Sequence, residues 1–247
     1  MGPKYEFSNK TIDHEGHLLH RIRRLSNGKL GGWVEKEENL SQDGSCWVDD
    51  EAKVYDNAKV YGNAQIFGDA EIYGNAKIYD DAQVYENANV SDNAEVYGES
   101  KVRGNANIYD CANVFDEAKV YGNAQVFEEA KVYGNAKIYD DARVSDGSKV
   151  YGEAEVFGDA VTSGNAKIYG NAKVYDYAWV YGEVFDEAEI YDRASVDDDN
   201  AKIYGCAKIY GDAKICDSME IDCGRYDRGT YYEWRQLVYT WKMTCLK

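Results

Sequence analysis

The chain has 247 residues, with 23 Tyr, 23 Gly, one Pro and a formal net charge of −17. Residues 1–47 hold seven basic and seven acidic residues, residues 224–247 hold five basic and two acidic, and the stretch between them carries about −20 by difference. That balance opposes docking on a nucleic-acid backbone, which needs Lys and Arg to displace counterions. It suits solubility, a basic partner or mimicry of a polyanion.

The first residues, Met1-Gly2-Pro3-Lys4-Tyr5-Glu6, lack the apolar core of a secretory leader, and no apolar run reaches the length of a membrane span. The six cysteines (Cys46, Cys111, Cys206, Cys216, Cys223, Cys245) are irregularly spaced without a CxxC pair. They read as reduced thiols of a cytoplasmic protein, away from membranes. Leu18–Leu25 predicts a strand, Ser26-Asn27-Gly28-Lys29 a turn, and Trp33-Val34 an apolar anchor. Residues 1–47 are therefore expected to cap an end that would otherwise expose unpaired strand edges. Arg21, Arg23 and Arg24 of this cap are candidate phosphate contacts. His14, His17 and His20 are read as solvated cap residues in preference to a metal site.

From Val48 the sequence falls into sixes, as in Val54-Tyr-Asp-Asn-Ala-Lys59 and Val60-Tyr-Gly-Asn-Ala-Gln65, and the pattern continues to about Asp222. Position one is Val or Ile almost everywhere, position two is usually Tyr or Phe, and positions three and four are mostly Gly, Asp, Asn or Glu. Position five is nearly always Ala and position six is polar, often Lys. Ala-Lys-Val-Tyr alternates as a strand does, with Ala and Val on one face and Lys and Tyr on the other. Gly-Asn or Asp-Asn supplies a corner, because these residues tolerate a left-handed backbone. Three such hexads close a triangular coil of about 18 residues, and about ten coils stacked at about 4.8 Å make a prism about 45 Å long. The expectation is an all-β, single-stranded parallel β-helix over residues 48–223, with residues 224–247 as a second cap or an oligomer contact.

Aliphatic residues at position one and small residues at position five resemble the hexapeptide-repeat, left-handed β-helix family over about 70% of the chain. Position two departs from the family pattern, which has a small residue there. The Tyr-Gly-Asn-Ala runs, with Gly31-Gly32-Trp33-Val34-Glu35 and Cys46-Trp47-Val48 before them, resemble a Tyr-rich subgroup of uncharacterised bacterial and phage proteins, some carrying a transferase label. The resemblance implies left-handed winding and trimeric assembly. It also raises an acyltransferase with a histidine base and a site between subunits.

Two breaks interrupt the count. Val184 begins a hexad two residues early, and Val196-Asp-Asp-Asp-Asn200-Ala201 holds one residue too many. Asp197, Asp198 and Asp199 offer hard oxygen ligands for a cation, but an exposed acidic corner with a bulge is the commoner arrangement and is the reading taken. No metal or cofactor is otherwise implied. The regular coils carry neither a histidine nor an extruded loop, which disfavours the acyltransferase.

What remains is the surface at position two. One column reads Tyr61, Tyr79, Tyr97, Phe115, Tyr133, Tyr151, Tyr169, Phe185, Tyr204, without interruption. A second reads Asp49, Phe67, Tyr85, Arg103, Tyr121, Tyr139, Phe157, Tyr175, Tyr191, Tyr210, and a third is broken at Ser91, Ser145, Ser163, Asp197 and Cys216. Such columns are either stabilising ladders or an interface. The functional expectation is a non-catalytic binding or scaffolding solenoid, self-associated as a trimer, that engages a protein partner through flat aromatic and acidic faces. One version is a phage counter-defence protein that sequesters a host protein or a nucleotide signal. An intersubunit acyltransferase and a DNA mimic are the alternatives.

Overall fold

The computed structural model describes residues 2–232, which form an all-β parallel solenoid with a single 3-10 turn at Glu37–Asn39. Only two residues of each hexad lie in the ladder, as at Lys59–Val60, Gln65–Ile66 and Glu71–Ile72, and each of these pairs belongs to a different sheet. The three sheets form the faces of a triangular prism. Register advances by 18 residues per coil, so Val84 pairs with Ile66 on one side and Val102 on the other. Parallel pairing starts earlier than the regular hexads, where Val34 meets Val54, and ends later, where Ile215 meets Tyr231, giving about 11 coils. The remainder of the expected C-terminal cap, from residue 233 on, lies outside the described residues.

The slots behave as their chemistry requires. Ala at position five and Val or Ile at position one are sealed inside, as at Ala70, Ile72, Ala76 and Ile78. Each such Val or Ile contributes up to about 1.5–3 kcal/mol. Polar atoms enter this core at few places. Ser148 occupies an alanine slot and donates its hydroxyl to the carbonyls of Ser145 and, at 3.3 Å, Thr162. Thr162 occupies an aliphatic slot, fully buried, and its own hydroxyl has no hydrogen-bond partner.

Position three is the corner. It is left-handed whether it holds Gly62 (φ 67°) or Asp56 (φ 54°). Glycine suits the backbone angle, and the acids add something else. Oδ2 of Asp56 accepts the N–H of Gly74 at 3.2 Å, one coil on, and Oε2 of Glu86 accepts that of Gly104 at 2.8 Å. On one edge the corner acids run in series: Asp92 accepts from Asp110, Asp110 from Glu128, Glu128 from Asp146 and Asp146 from Gly164. Much of the negative charge of the coils thus satisfies backbone N–H groups that the turns leave open. Position four adds amide ladders, such as Asn57 to Asn75 to Asn93.

The two breaks fall in adjacent coils and offset one another in part. The ladder steps by 16 residues from Lys167 to Glu183 and by 19 from Glu183 to Lys202. At the shortened corner a Cβ on Gly182 would lie 2.7 Å from the carbonyl oxygen of Ala201 and 2.8 Å from that of Asp198, so only glycine fits under the longer corner above. That longer corner folds down across the gap, and Asn165, two coils away, donates its amide to Oδ2 of Asp199 at 3.2 Å.

At the other end, β1 (Tyr5–His14) and β2 (His17–Arg24) form an antiparallel hairpin, and β2 pairs antiparallel with β3 (Leu30–Val34). β3 then opens the parallel ladder. Tyr5, Ile22, Leu40 and Trp47 close the core beneath the hairpin, with the Tyr5 hydroxyl donating to the Leu40 carbonyl at 2.8 Å.

Candidate binding surface

Closure of the coils brings residues 18 apart into register, so the position-two rings stack. The nine rings from Tyr61 to Tyr204 stand 4.8–5.0 Å apart with planes within 6° of parallel. The second column stacks from Phe67 to Tyr85 and from Tyr121 to Tyr210. Its single interruption is occupied by the side chain that causes it, since the Arg103 guanidinium lies 4.8 Å over the Tyr121 ring. The third column holds the pairs Tyr55–Tyr73 and Tyr109–Phe127. Between them Ser91 leaves a rung empty, and a notch of about 300 Å³ opens there between Tyr73 and Tyr109.

A recurring triad pins several rings. Glu155 accepts from Lys137 Nζ at 2.8 Å through one oxygen and from the Tyr139 hydroxyl at 3.2 Å through the other. Glu95 does the same with Lys77 and Tyr79, and Glu189 with Lys208 and Tyr175. Burial, followed by the nearby Glu155, pushes the Tyr139 hydroxyl well above the ordinary phenol range. Burial also works to raise Glu155, but its hydrogen bond to Lys137 prevails and the carboxyl stays below its usual value. In each triad the tyrosine hydroxyl is the donor and the glutamate the acceptor.

The hairpin brings histidines to the side of the coils, which the linear sequence did not indicate. The rings of His14 and His17 lie 5.5 and 5.0 Å from that of Tyr55, the first edge-on at 78° and the second tilted by 43°, so they cover the end of the third column without continuing its stack. His14 Nε2 is 3.3 Å from Glu71, while His17 has Nδ1 3.0 Å from Glu35 and Nε2 3.5 Å from Asp56. The Glu35 hydrogen bond raises the His17 pKa above its ordinary value. Burial opposes ionisation of Glu35, but His17 and the Asp56 N–H outweigh it and lower the carboxyl. Among the described residues, His17, Glu35 and Asp56 are the one trio with metal-ligating atoms within 4.8 Å of one another.

The candidate phosphate contacts are engaged within the molecule. Arg21 meets Glu51 at 2.7 Å and covers the Trp33 ring, Arg23 pairs with Glu6, and Arg24 lies 4.1 Å over the Trp47 ring. The three aspartates have separate partners. Asp197 lies 3.8 Å from Lys214, Asp198 accepts the Asn200 N–H, and Asp199 reaches Asn165. Cys46, Cys111, Cys206 and Cys216 are free thiols. Two exposed aromatics outside the columns, Tyr177 and Trp179, are 60% and 49% accessible. Their signal was present in the sequence, as rings at positions four and six where other hexads are polar.

No curated protein matches the chain. A family model described as the YdcK beta solenoid repeat matches residues 166–182, a likeness confined to one coil's length and in keeping with the β-solenoid seen throughout.

Proposed function

We propose that the protein is a non-catalytic binding scaffold whose working surface is the unbroken nine-ring face, used for self-association, with a trimer as the expected assembly, and for capture of a protein partner. The observation that carries this reading is the continuity of that column from Tyr61 to Tyr204, all stacked, while both other columns are interrupted. A surface already rigid loses little conformational freedom when it is covered. A host protein sequestered during phage infection is one partner compatible with this reading. The test is light scattering of the purified chain together with partner capture, comparing wild type with Tyr97→Ser plus Tyr133→Ser. Loss of assembly or of the partner supports the reading. An unchanged mass and an unchanged partner set remove it.

The acyltransferase reading is less well supported. His17 has carboxylates at both ring nitrogens, so neither is placed to take a proton from a substrate. Turnover of an acyl-CoA donor by the purified protein would reinstate it. The regular spacing of corner acids favours the DNA-mimic reading only if binding to a DNA-binding protein weakens steeply with salt.

A further inference from the structure

The two single-rung interruptions of the aromatic columns are treated differently. In the second column the missing ring is replaced by the planar Arg103 guanidinium, 4.8 Å over Tyr121. In the third column Ser91 is too short to fill the rung, and its hydroxyl is turned aside to Oδ2 of Asp92 at 3.0 Å. Tyr73 and Tyr109 are two coils apart, so their rings are separated by about 9.5 Å, twice the strand spacing. One planar group midway would lie about 4.8 Å from each ring, within the favourable stacking range. The Arg103 rung is the molecule's own example of a planar, polar group accepted at this spacing.

The edge of the notch narrows the class of guest. On the strand side it is lined by Asn89, Asn107 and Gln125, three neutral amides in successive coils of one sheet, with Glu71 before them and Arg143 after. Asn89 donates to Oδ1 of Asn107 at 3.3 Å and to the Asn87 carbonyl, and Asn107 donates to the Asn105 carbonyl at 2.9 Å, which orients both amides. Amide side chains pair with the donor and acceptor edge of a purine, adenine above all, and bases taken out of a helix are bound by stacking on aromatic rings. The surrounding charge opposes phosphate: Asp92 lines the notch, and Asp110 and Glu128 follow it along the same edge.

We infer that the Ser91 rung is a binding slot for a neutral purine base, free or as a nucleoside, inserted between Tyr73 and Tyr109 with its edge toward the amide of Asn89 in the same coil and Asn107 one coil on. The slot belongs to a different column from the nine-ring face, so it stands or falls independently of partner binding there.

The test uses the whole chain with 2-aminopurine riboside as a fluorescent probe, and saturation-transfer NMR with adenine, adenosine and AMP. Wild type is expected to quench the probe saturably with one site per chain, and to bind adenine and adenosine more tightly than AMP. Ser91→Tyr rebuilds the missing rung in keeping with the repeat, so it is expected to raise the melting temperature while weakening the probe at least about tenfold. Tyr109→Ser leaves one stacking wall and is expected to weaken binding by about tenfold, whereas Ser91→Ala keeps the slot and its affinity. No saturable signal with wild type, or equal binding by wild type, Ser91→Tyr and Tyr109→Ser, overturns the inference. Tighter binding of AMP than of adenosine overturns the neutral-ligand assignment.

Discussion

Gly164 donates its backbone N–H to Oδ2 of Asp146, 18 residues earlier, at 2.9 Å. The same contact recurs at corner after corner, so an acid in one coil satisfies the turn of the next. The Gly164 N–H, then the Ser163 hydroxyl and Glu128, hold the Asp146 carboxyl below its usual value. A carboxyl lowered in the folded state stabilises it above the unfolded pKa, and that contribution is lost as pH falls through the folded value. Asp146→Asn keeps an accepting oxygen but does not titrate. Urea midpoints measured between pH 3 and pH 6 should therefore fall less steeply with acid in this variant than in wild type. Parallel curves would show that the corner acid does not couple folding to pH.

His17 and Glu35 work in the opposite pair of directions. His17, raised above 6.5, stabilises the fold fully below that value and loses the effect as pH rises through its folded pKa. Glu35, lowered below 4.5, stabilises above that value and loses the effect as pH falls through its own. Attachment of the hairpin should be strongest between about pH 4.5 and 6.5. In an NMR titration the His17 imidazole should have a midpoint above 6.5 in wild type, and a lower one in Glu35→Gln. A midpoint indifferent to Glu35 would sink the assignment.

Thr162→Val replaces a buried, unpartnered hydroxyl with a methyl group of the same shape in a slot that is aliphatic elsewhere. Burying a polar group without a partner costs about 1–3 kcal/mol. The variant should be more stable by about 1 kcal/mol, read as a higher guanidinium midpoint with the slope unchanged. Destabilisation would mean that the hydroxyl has a partner, such as a bound water.

Tyr133 stacks at 4.9 Å on Phe115 and at 4.8 Å on Tyr151, whereas Tyr61 at the end of the same column has one stacked neighbour, Tyr79. At about 0.5–1.5 kcal/mol per aromatic pair, Tyr133→Ser should cost roughly twice the stacking energy of Tyr61→Ser. A double-mutant cycle on Tyr133 and Tyr151 should give a coupling of about 1 kcal/mol. Additive losses would assign the column to surface chemistry alone and leave it no part in stabilising the coils.

The solenoid was legible from Val48 onward because each slot of the hexad favours one physical class of side chain. A core that accepts Val, Ile and Ala and a corner that needs a left-handed residue leave few alternatives for the chain. The columns were legible as well, since residues 18 apart in sequence become neighbours in any three-sided coil. The role of the acids was not. Asp56, Glu86 and Asp146 look like solvated turn residues in the sequence, and only the height and rotation of the next coil show an N–H waiting above each. The histidines were equally hidden. His14 and His17 reach Glu71 and Glu35 because a hairpin with no repeat folds back along one face, and nothing local to them specifies that direction.

Sequence by itself thus determined the period, the buried residues, the three columns and the location of the excess negative charge, because all of these follow from side-chain class at fixed spacing. Tertiary structure decided which side chains meet. Arg103 and Ser91 interrupt the ring pattern identically on paper. The folded coils distinguish them, since a guanidinium is long and flat enough to lie on the ring beside it, and a serine hydroxyl reaches no further than the neighbouring aspartate.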